Sequence, residues 1–229
     1  MHAAKTLPLL VASLLGSTLA FSAPTLIASS SISGTYEDLA SDTAAPLENG
    51  VAGNKLGGLG SGFAYAGGTT FVALPDRGPN AVSYNAGVSD TVSYINRFHT
   101  FNMALSPAPA GSALPFVLTP TLRDTTLLSS LTPLVYGTGT AFGLPNGAPA
   151  LNKQDHVFYF TGRADNFDPN QPSTNPRDAR FDTESIRVSN DGRSVYISDE
   201  YGPYVYQFHR KSGERKRAFT LPPSSPLPT

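Results

Sequence analysis

Residues 184–221 carry the pattern that most constrains the fold. Within this stretch, four short runs of alternating apolar and polar residues follow one another. A period of two places successive side chains on opposite faces of a β-strand. The turns between the runs are Asp191-Gly192, Gly202-Pro203 and Lys211-Ser212-Gly213-Glu214. Since Asp-Gly between alternating runs is a strong hairpin signal, we predict four antiparallel strands, the content of one β-propeller blade.

A similar pattern occurs 123 residues earlier in the chain. The shift aligns residues 61–76 with 184–199 without a gap, and the offset equals three blade lengths of 41 residues. We therefore predict an internal repeat of the same hairpin. The aligned pairs are Phe63 with Ile186, Tyr65 with Val188, Val72 with Val195, Leu74 with Ile197, and Asp76 with Asp199.

The rest of the chain indicates the same class. Residues 91–105 alternate in polarity and would place Arg97 and His99 on one face of a strand. Residues 106–150 are rich in Pro and Gly, which predicts loops with short strands. No segment keeps a 3.6-residue period, so we predict an all-β, propeller-like array of four-stranded antiparallel blades. Roughly 206 mature residues make five blades at most, so the array is expected to be incomplete.

The first 23 residues predict an export signal. Lys5 precedes a short apolar run over residues 7–19, and small residues follow at positions 20, 22 and 23. A membrane span needs about 20 apolar residues, which this run does not reach. We expect cleavage before residue 24, a secreted or periplasmic protein without a membrane span, and a domain over 32–222 that is truncated at its C-terminus.

Composition excludes several kinds of site. With no cysteine, the chain has no disulfide, no thiolate nucleophile and no Cys-ligated metal. The 16 Lys and Arg residues balance 17 Asp and Glu residues, so nucleic acid is not an expected partner. Neither the Gly-x-Ser-x-Gly elbow of a serine hydrolase nor the His pair of a zincin is present.

The predicted hairpin brings two carboxylates together. If Asp191-Gly192 closes a two-residue turn with positive φ at both positions, Glu184 lies directly opposite Asp199. Like charges at opposed positions repel, so a bound cation, a shared proton or an Arg must compensate. An oxygen-only site suits a hard divalent cation, Ca²⁺ ahead of Mg²⁺. Alternatively, pairing ends before these residues and Asp199 caps the turn at 201–203. Glu200 would need a bulge or turn to reach the same site.

The first hairpin of the repeat ends in a similar way. Asp76 follows the strand that contains Val72 and Leu74, and by parity it shares their face. Arg77 offers a planar fork that suits phosphate or carboxylate. The run Asp-Arg-Gly-Pro is also common in structural turns. Because Asp76 aligns with Asp199, the repeat favours a functional rim.

Several of these motifs resemble the phytase-like family described as having esterase-like activity of phytase. The resemblance covers roughly residues 32–222, and its most specific part is Ser-Asp-Glu-Tyr-Gly-Pro at 198–203. Ser185 departs from the family, which usually has Gly after the glutamate. The other matching runs are Leu-Gly-Gly at 56–58 with Ser-Gly at 61–62, Asp-Arg-Gly-Pro-Asn at 76–80, Thr-Gly-Arg at 161–163, residues 180–188, and Asp-Gly at 191–192.

The resemblance implies an exported, β-propeller-type hydrolase of phosphate or carboxylic esters. Together with the predicted carboxylate pair, it leads to a specific site hypothesis. Asp76, Glu184 and Asp199 would bind a divalent cation, most simply Ca²⁺, and Asp76, Arg77 and Glu200 would act on a small anionic or ester substrate. Two alternatives remain open: a non-catalytic propeller that binds a ligand or partner, and a lactonase-like propeller.

Overall fold

The computed structural model describes residues 23–56, 59–153, 156–166 and 175–222. The predicted export signal, apart from its last residue, lies outside these ranges. The described chain forms antiparallel sheets of four, two and four strands. Its helices are three single 3₁₀ turns at Ser41–Thr43, Ala86–Val88 and Thr140–Phe142. None of the helices in the described ranges is long and apolar enough to cross a membrane. The all-β prediction is therefore confirmed.

The strands run in chain order within each sheet. The first sheet has the order β1-β2-β3-β4, the small sheet pairs β5 with β6, and the last has the order β10-β9-β8-β7. In the described residues no sheet closes on itself, so the propeller array stays a prediction. The strands are β1 Leu59–Gly67, β2 Thr70–Pro75, β3 Arg97–Pro107, β4 Phe116–Leu127, β5 Ser129–Ser130, β6 Phe158–Tyr159, β7 Thr183–Val188, β8 Ser194–Asp199, β9 Tyr204–His209 and β10 Arg215–Thr220.

The last sheet confirms the four strands predicted for 184–221. The apolar residues of β7 and β8 pair as expected, with Val188 opposite Val195. The turn differs from the predicted one, because Gly192 has a φ of 70° and Asp191 is not among the residues with positive φ. The backbone closes over a longer loop, in which Ser189 N–H donates to the Ser194 carbonyl at 2.9 Å. The predicted register is therefore confirmed near the turn, whereas the predicted turn type is wrong.

The first sheet has the same strand order as the last, as the repeat predicts. Its strand β1, however, is offset by one residue from the predicted alignment with β7. Val72 and Leu74 are buried like their counterparts in β8. Phe63 and Tyr65, however, are 50% and 61% exposed, and it is Ala64 that pairs with Val72. A register irregularity near the β1–β2 turn adds a residue, so the apolar alignment fails in β1.

The β3–β4 hairpin is longer than the sequence indicates. Residues 116–127 form a 12-residue strand, where loops with short strands were expected. Pro120 lies within this strand and pairs with Met103. Pro is tolerated in an edge strand because its missing N–H can face away from the sheet, and β4 is one of the two edge strands of this sheet. The prediction of loops with short strands was therefore wrong for residues 116–127, because it took the high Pro content as a sign of loops.

The main core lies between the two large sheets. Its aromatic centre consists of Phe160, Phe181, Tyr206 and Phe208, with ring centroids 5.1 to 6.1 Å apart in contacts such as Phe181–Tyr206. Strand β1 packs beside β7, and this approach requires a glycine. A Cβ atom on Gly62 would lie 2.8 Å from the backbone nitrogen of Ile186. The close packing brings the end of β2 next to the start of β7.

Candidate carboxylate site at the ends of β2 and β7

Asp76 and Arg77 follow β2 directly. The Asp76 carboxylate accepts a hydrogen bond from the Arg77 backbone N–H at 2.6 Å, which holds it against its own loop. Gly162 packs on the Arg77 backbone so closely that a Cβ there would lie 1.8 Å from the Arg77 carbonyl oxygen. A larger residue at 162 would therefore push this loop away. The local packing fixes both side chains where the first sheet meets the chain before β7.

A buried hydrogen bond joins this loop to β7. Thr183, the first residue of β7, is fully buried, and its Oγ1 donates to the Pro75 carbonyl at 2.7 Å. Pro75 immediately precedes Asp76, and Thr183 lies between Asp182 and Glu184. One hydrogen bond thus connects the two short segments that carry the acidic side chains of the site.

Three carboxylates meet at this junction. Oxygen atoms of Asp76, Asp182 and Glu184 all lie within 4.8 Å of one another. Asp182 is the most enclosed, with 1% of its surface exposed, and its Oδ2 pairs with Arg77 Nη1 at 2.6 Å. Asp182 Oδ1 is also buried, yet it accepts no hydrogen bond from any residue that the structure describes. The Asp182 and Asp76 carboxyls are close enough to share a proton, and a cation that replaced this proton would satisfy the buried oxygen.

The electrostatics show how crowded the negative charge is. Burial, together with the adjoining Asp76 carboxyl, raises the pKa of Asp182 to about 8 although Arg77 opposes the shift. Burial also raises the pKa of Glu184, and Asp76 and Glu200 add to this. A single guanidinium therefore does not neutralise the cluster. Its donor set consists only of carboxylate oxygens, which are the ligands preferred by hard divalent cations such as Ca²⁺.

The predicted pairing of Glu184 with Asp199 was wrong by one residue. Ser185 pairs with Ser198 as expected, but Asp199 lies opposite Thr183, and the register shifts between Thr183 and Ser185. Glu184 is the extra residue of this β-bulge. A bulge leaves one residue unpaired and re-aims its side chain. Here the Glu184 carboxylate joins Asp76 and Asp182 rather than Asp199.

Asp199 is not part of the three-carboxylate cluster. Its Oδ1 accepts two backbone hydrogen bonds, from Asp182 N–H at 3.0 Å and from Tyr201 N–H at 3.1 Å. The second of these caps the turn at 201–203, which is the alternative left open by the sequence. Burial raises the pKa of Asp199 to about 7, although the two hydrogen bonds lower it.

Glu200 reaches the cluster by way of a turn. Its backbone N–H donates to the Asp182 carbonyl at 2.9 Å, and its carboxyl is close enough to that of Glu184 to raise the Glu184 pKa. The side chain of Glu200 is exposed. Of the five residues predicted for the site, the structure therefore places Asp76, Arg77, Glu184 and Glu200 around one point.

Sequence reasoning missed Asp182. A signal was nevertheless present, because Asp182 and Glu184 are two residues apart and would share a face in a regular strand. The predicted strand began at Glu184, so Asp182 lay outside it and was not considered for the site. Its burial depends on contacts with the first sheet, which the local pattern does not contain.

Two cationic side chains contact one aromatic ring beside the cluster. The guanidinium carbons of Arg77 and Arg180 lie 6.0 Å and 5.4 Å from the centre of the Tyr201 ring. The Tyr201 hydroxyl donates to the Gly162 carbonyl at 3.0 Å, which fixes the ring. These cation–π contacts keep positive charge next to the carboxylates. A small anionic group would meet both signs of charge at this rim.

Two other buried arginines in the described chain are paired within their own networks. Arg163 binds Asp165 through Nε at 2.5 Å and Glu48 through Nη1 at 3.0 Å. Arg97 pairs with Asp38 at 2.6 Å. Each of these networks places an arginine directly on its carboxylates, so they have a structural explanation. The cluster at Asp182 has an excess of carboxylates instead.

Comparison with known families gives the same assignment as the motifs. The family model described as "Phytase-like: Esterase-like activity of phytase" matches residues 54–228, a range that contains the whole carboxylate cluster. The chain belongs to this phytase-like family. No curated protein and no solved structure was found to match it. The site residues of this phytase-like protein are therefore argued from its own geometry.

Proposed function

We propose that this phytase-like protein is an exported hydrolase of phosphate or carboxylic esters, assisted by a divalent cation, most simply Ca²⁺. The observation that carries the proposal is the junction of Asp76, Asp182 and Glu184, whose carboxylate oxygens lie within 4.8 Å of one another. Family membership supports ester hydrolysis as the reaction class. The predicted export signal supports a location outside the cytoplasm, where Ca²⁺ is plentiful.

The donor set fits such a cation. Asp182 Oδ1 is buried without a hydrogen bond from the described residues, and two further carboxylates flank it. Asp76, Asp182 and Glu184 would bind the ion. When bound, a divalent cation would polarise the phosphoryl or acyl oxygen of an ester and stabilise the negative charge that develops on it.

The surrounding side chains have separate roles in the proposal. The Arg77 guanidinium is 28% exposed while one of its nitrogens pairs with Asp182. Its Nε is buried, so the N–H groups at the tip of the guanidinium are those that can orient an anionic phosphate or carboxylate. Glu200 is exposed and adjacent to the cluster. We assign it as the general base that accepts the proton of the attacking water.

A direct test compares hydrolysis of p-nitrophenyl phosphate, p-nitrophenyl acetate and a simple lactone by the purified protein in EDTA and in CaCl₂. We expect turnover of one of the two nitrophenyl esters in CaCl₂ and its loss in EDTA. Glu200→Gln should lower kcat by about 10²-fold, the usual contribution of a general base, while Ca²⁺ affinity changes little. A matched control is Asp124→Asn, which neutralises an exposed carboxylate in β4 near the opposite end of the last sheet.

The other candidate functions give different outcomes. Turnover of the lactone alone would favour a lactonase. Calcium binding without turnover of any of the three substrates would indicate a ligand-binding protein. Turnover that EDTA leaves unchanged would contradict the role of the cation.

A further inference from the structure

Asp199 lies at the end of β8, where its carboxylate binds backbone rather than neighbouring carboxylates. Oδ1 accepts N–H groups from Asp182 at 3.0 Å and from Tyr201 at 3.1 Å. Asp182 carries the most buried carboxylate of the cluster, and Tyr201 carries the ring that both Arg77 and Arg180 approach. One oxygen atom therefore holds two backbone segments whose side chains form the site.

The hydrogen bond from Asp182 to Asp199 helps to fix the cluster, because Asp182 immediately precedes β7 and is not held by the sheet itself. Its backbone N–H lies outside the ladder of the last sheet, in which pairing begins at Thr183. The bond to Asp199 therefore satisfies a buried donor that the sheet leaves unpaired. The orientation of the Asp182 peptide sets where its side chain points. The N–H of Glu200, the residue before Tyr201, donates to the Asp182 carbonyl at 2.9 Å, so both the N–H and the carbonyl of Asp182 are fixed.

We propose that Asp199 is a positioning residue, which orients Asp182 and Tyr201 through their backbone N–H groups and does not itself bind the cation. This inference rests on the proposed cation site. It requires a hydrogen-bond acceptor at position 199 and does not require a negative charge there. A ligand such as Glu184, in contrast, requires the charge.

Two isosteric substitutions separate these requirements. Asp199→Asn keeps an oxygen that can accept both N–H groups but removes the charge, and Glu184→Gln removes the charge of a cluster carboxylate. Calorimetric titration of CaCl₂ into the purified protein should show affinity within threefold of wild type for Asp199→Asn. Glu184→Gln should lose at least tenfold. Asp199→Ala, which has no acceptor, should also lose at least tenfold while its melting temperature in EDTA shows a folded protein.

Each result supports or overturns the inference. Equal losses in Asp199→Asn and Glu184→Gln would make Asp199 a ligand. Unchanged affinity in Asp199→Ala would remove the positioning role. If Asp199→Ala does not fold, the comparison of Asp199→Asn with Glu184→Gln still decides between acceptor and ligand. Absence of Ca²⁺ binding by wild type would contradict the proposed cation site, and the positioning role with it, which is a different result from loss in a variant alone.

Discussion

The two four-stranded sheets share a strand order but differ on their outer faces. His99 pairs with Ala73 in the first sheet, and Gln207 pairs with Tyr196 in the last, so the two polar residues occupy corresponding positions. His99 is fully buried, whereas Gln207 is partly exposed. The difference comes from the N-terminal segment, whose Leu56 packs on this face of the first sheet. The same strand pattern therefore gives different environments, depending on what covers it.

The ends of the second strands differ as well. Asp76 and Asp199 align in the repeat, but Asp76 joins the carboxylate cluster and Asp199 binds backbone N–H groups. Asp76 faces the start of β7 across the junction of the two sheets, where Thr183 binds Pro75. Asp199 instead caps the turn between β8 and β9 by accepting the Tyr201 N–H. A repeated position thus acquires its role from the neighbouring sheet, and the following predictions test this conclusion.

The largest expected effect comes from Asp182, which has no counterpart in the aligned repeat. Asp182→Asn should weaken Ca²⁺ binding by about 100-fold or more, since it removes a charged ligand from the buried centre of the cluster. Calorimetric titration measures this directly. Asp124→Asn, in an exposed part of β4, should bind as wild type does. Wild-type affinity in Asp182→Asn would show that the cluster is organised around a different residue.

Much of the fold could be predicted from the sequence, because period-two patterns and turn residues are local. The four strands of the last sheet and the shared strand order are of this kind. The β4 strand could not be predicted, since its Pro120 is tolerated only at a sheet edge. Whether a strand is at an edge depends on the assembled sheet rather than on neighbouring residues in the chain.

The candidate site was predictable to a smaller extent. The sequence placed Asp76 and Glu184 near a shared rim, but it relied on a regular register that the bulge at Glu184 breaks. Asp182 becomes central only because the first sheet buries it. Inter-sheet contacts join residues that are far apart in the chain, and Thr183 and Pro75 are 108 positions apart. A strand pattern alone contains no information about them.

The covered face of the first sheet predicts a pH-dependent stability. Burial, followed by the nearby Arg97, lowers the pKa of His99 from 6.5 to about 3. The unfolded chain therefore binds a proton at this residue more readily, and stability falls as pH drops below about 6.5. The contribution of His99 should be about 2 kcal/mol less favourable at pH 5 than at pH 7.5. Urea unfolding of wild type and His99→Gln at both pH values gives the free energy of unfolding of each protein. The change in this free energy between the two pH values should be about 2 kcal/mol larger in wild type than in His99→Gln.

The corresponding position in the last sheet supplies the control. Gln207→His introduces the same side chain where the outer face is partly exposed. Its stability should change between pH 7.5 and pH 5 by the same amount as that of wild type, because an exposed histidine has a similar pKa in the folded and unfolded states and adds no pH dependence to that of His99. If wild type and His99→Gln show the same pH dependence, the N-terminal segment does not isolate His99 from solvent. The conclusion that the outer faces of the two sheets differ in their exposure to solvent would then be wrong.

The smallest effect concerns the hydrogen bond that joins the sheets at the site. Thr183→Val removes the Oγ1 donor and leaves the buried Pro75 carbonyl without its 2.7 Å partner. The expected cost in the free energy of unfolding is about 1 kcal/mol. Because this bond joins the segment that carries Asp76 to the segment that carries Asp182 and Glu184, we also expect a modest loss of Ca²⁺ affinity. Thr183→Ser keeps the donor and should retain wild-type affinity even if the lost methyl group lowers its stability. Equal affinities in the Val and Ser variants would mean that the packing of β1 on β7 alone brings the three carboxylates together.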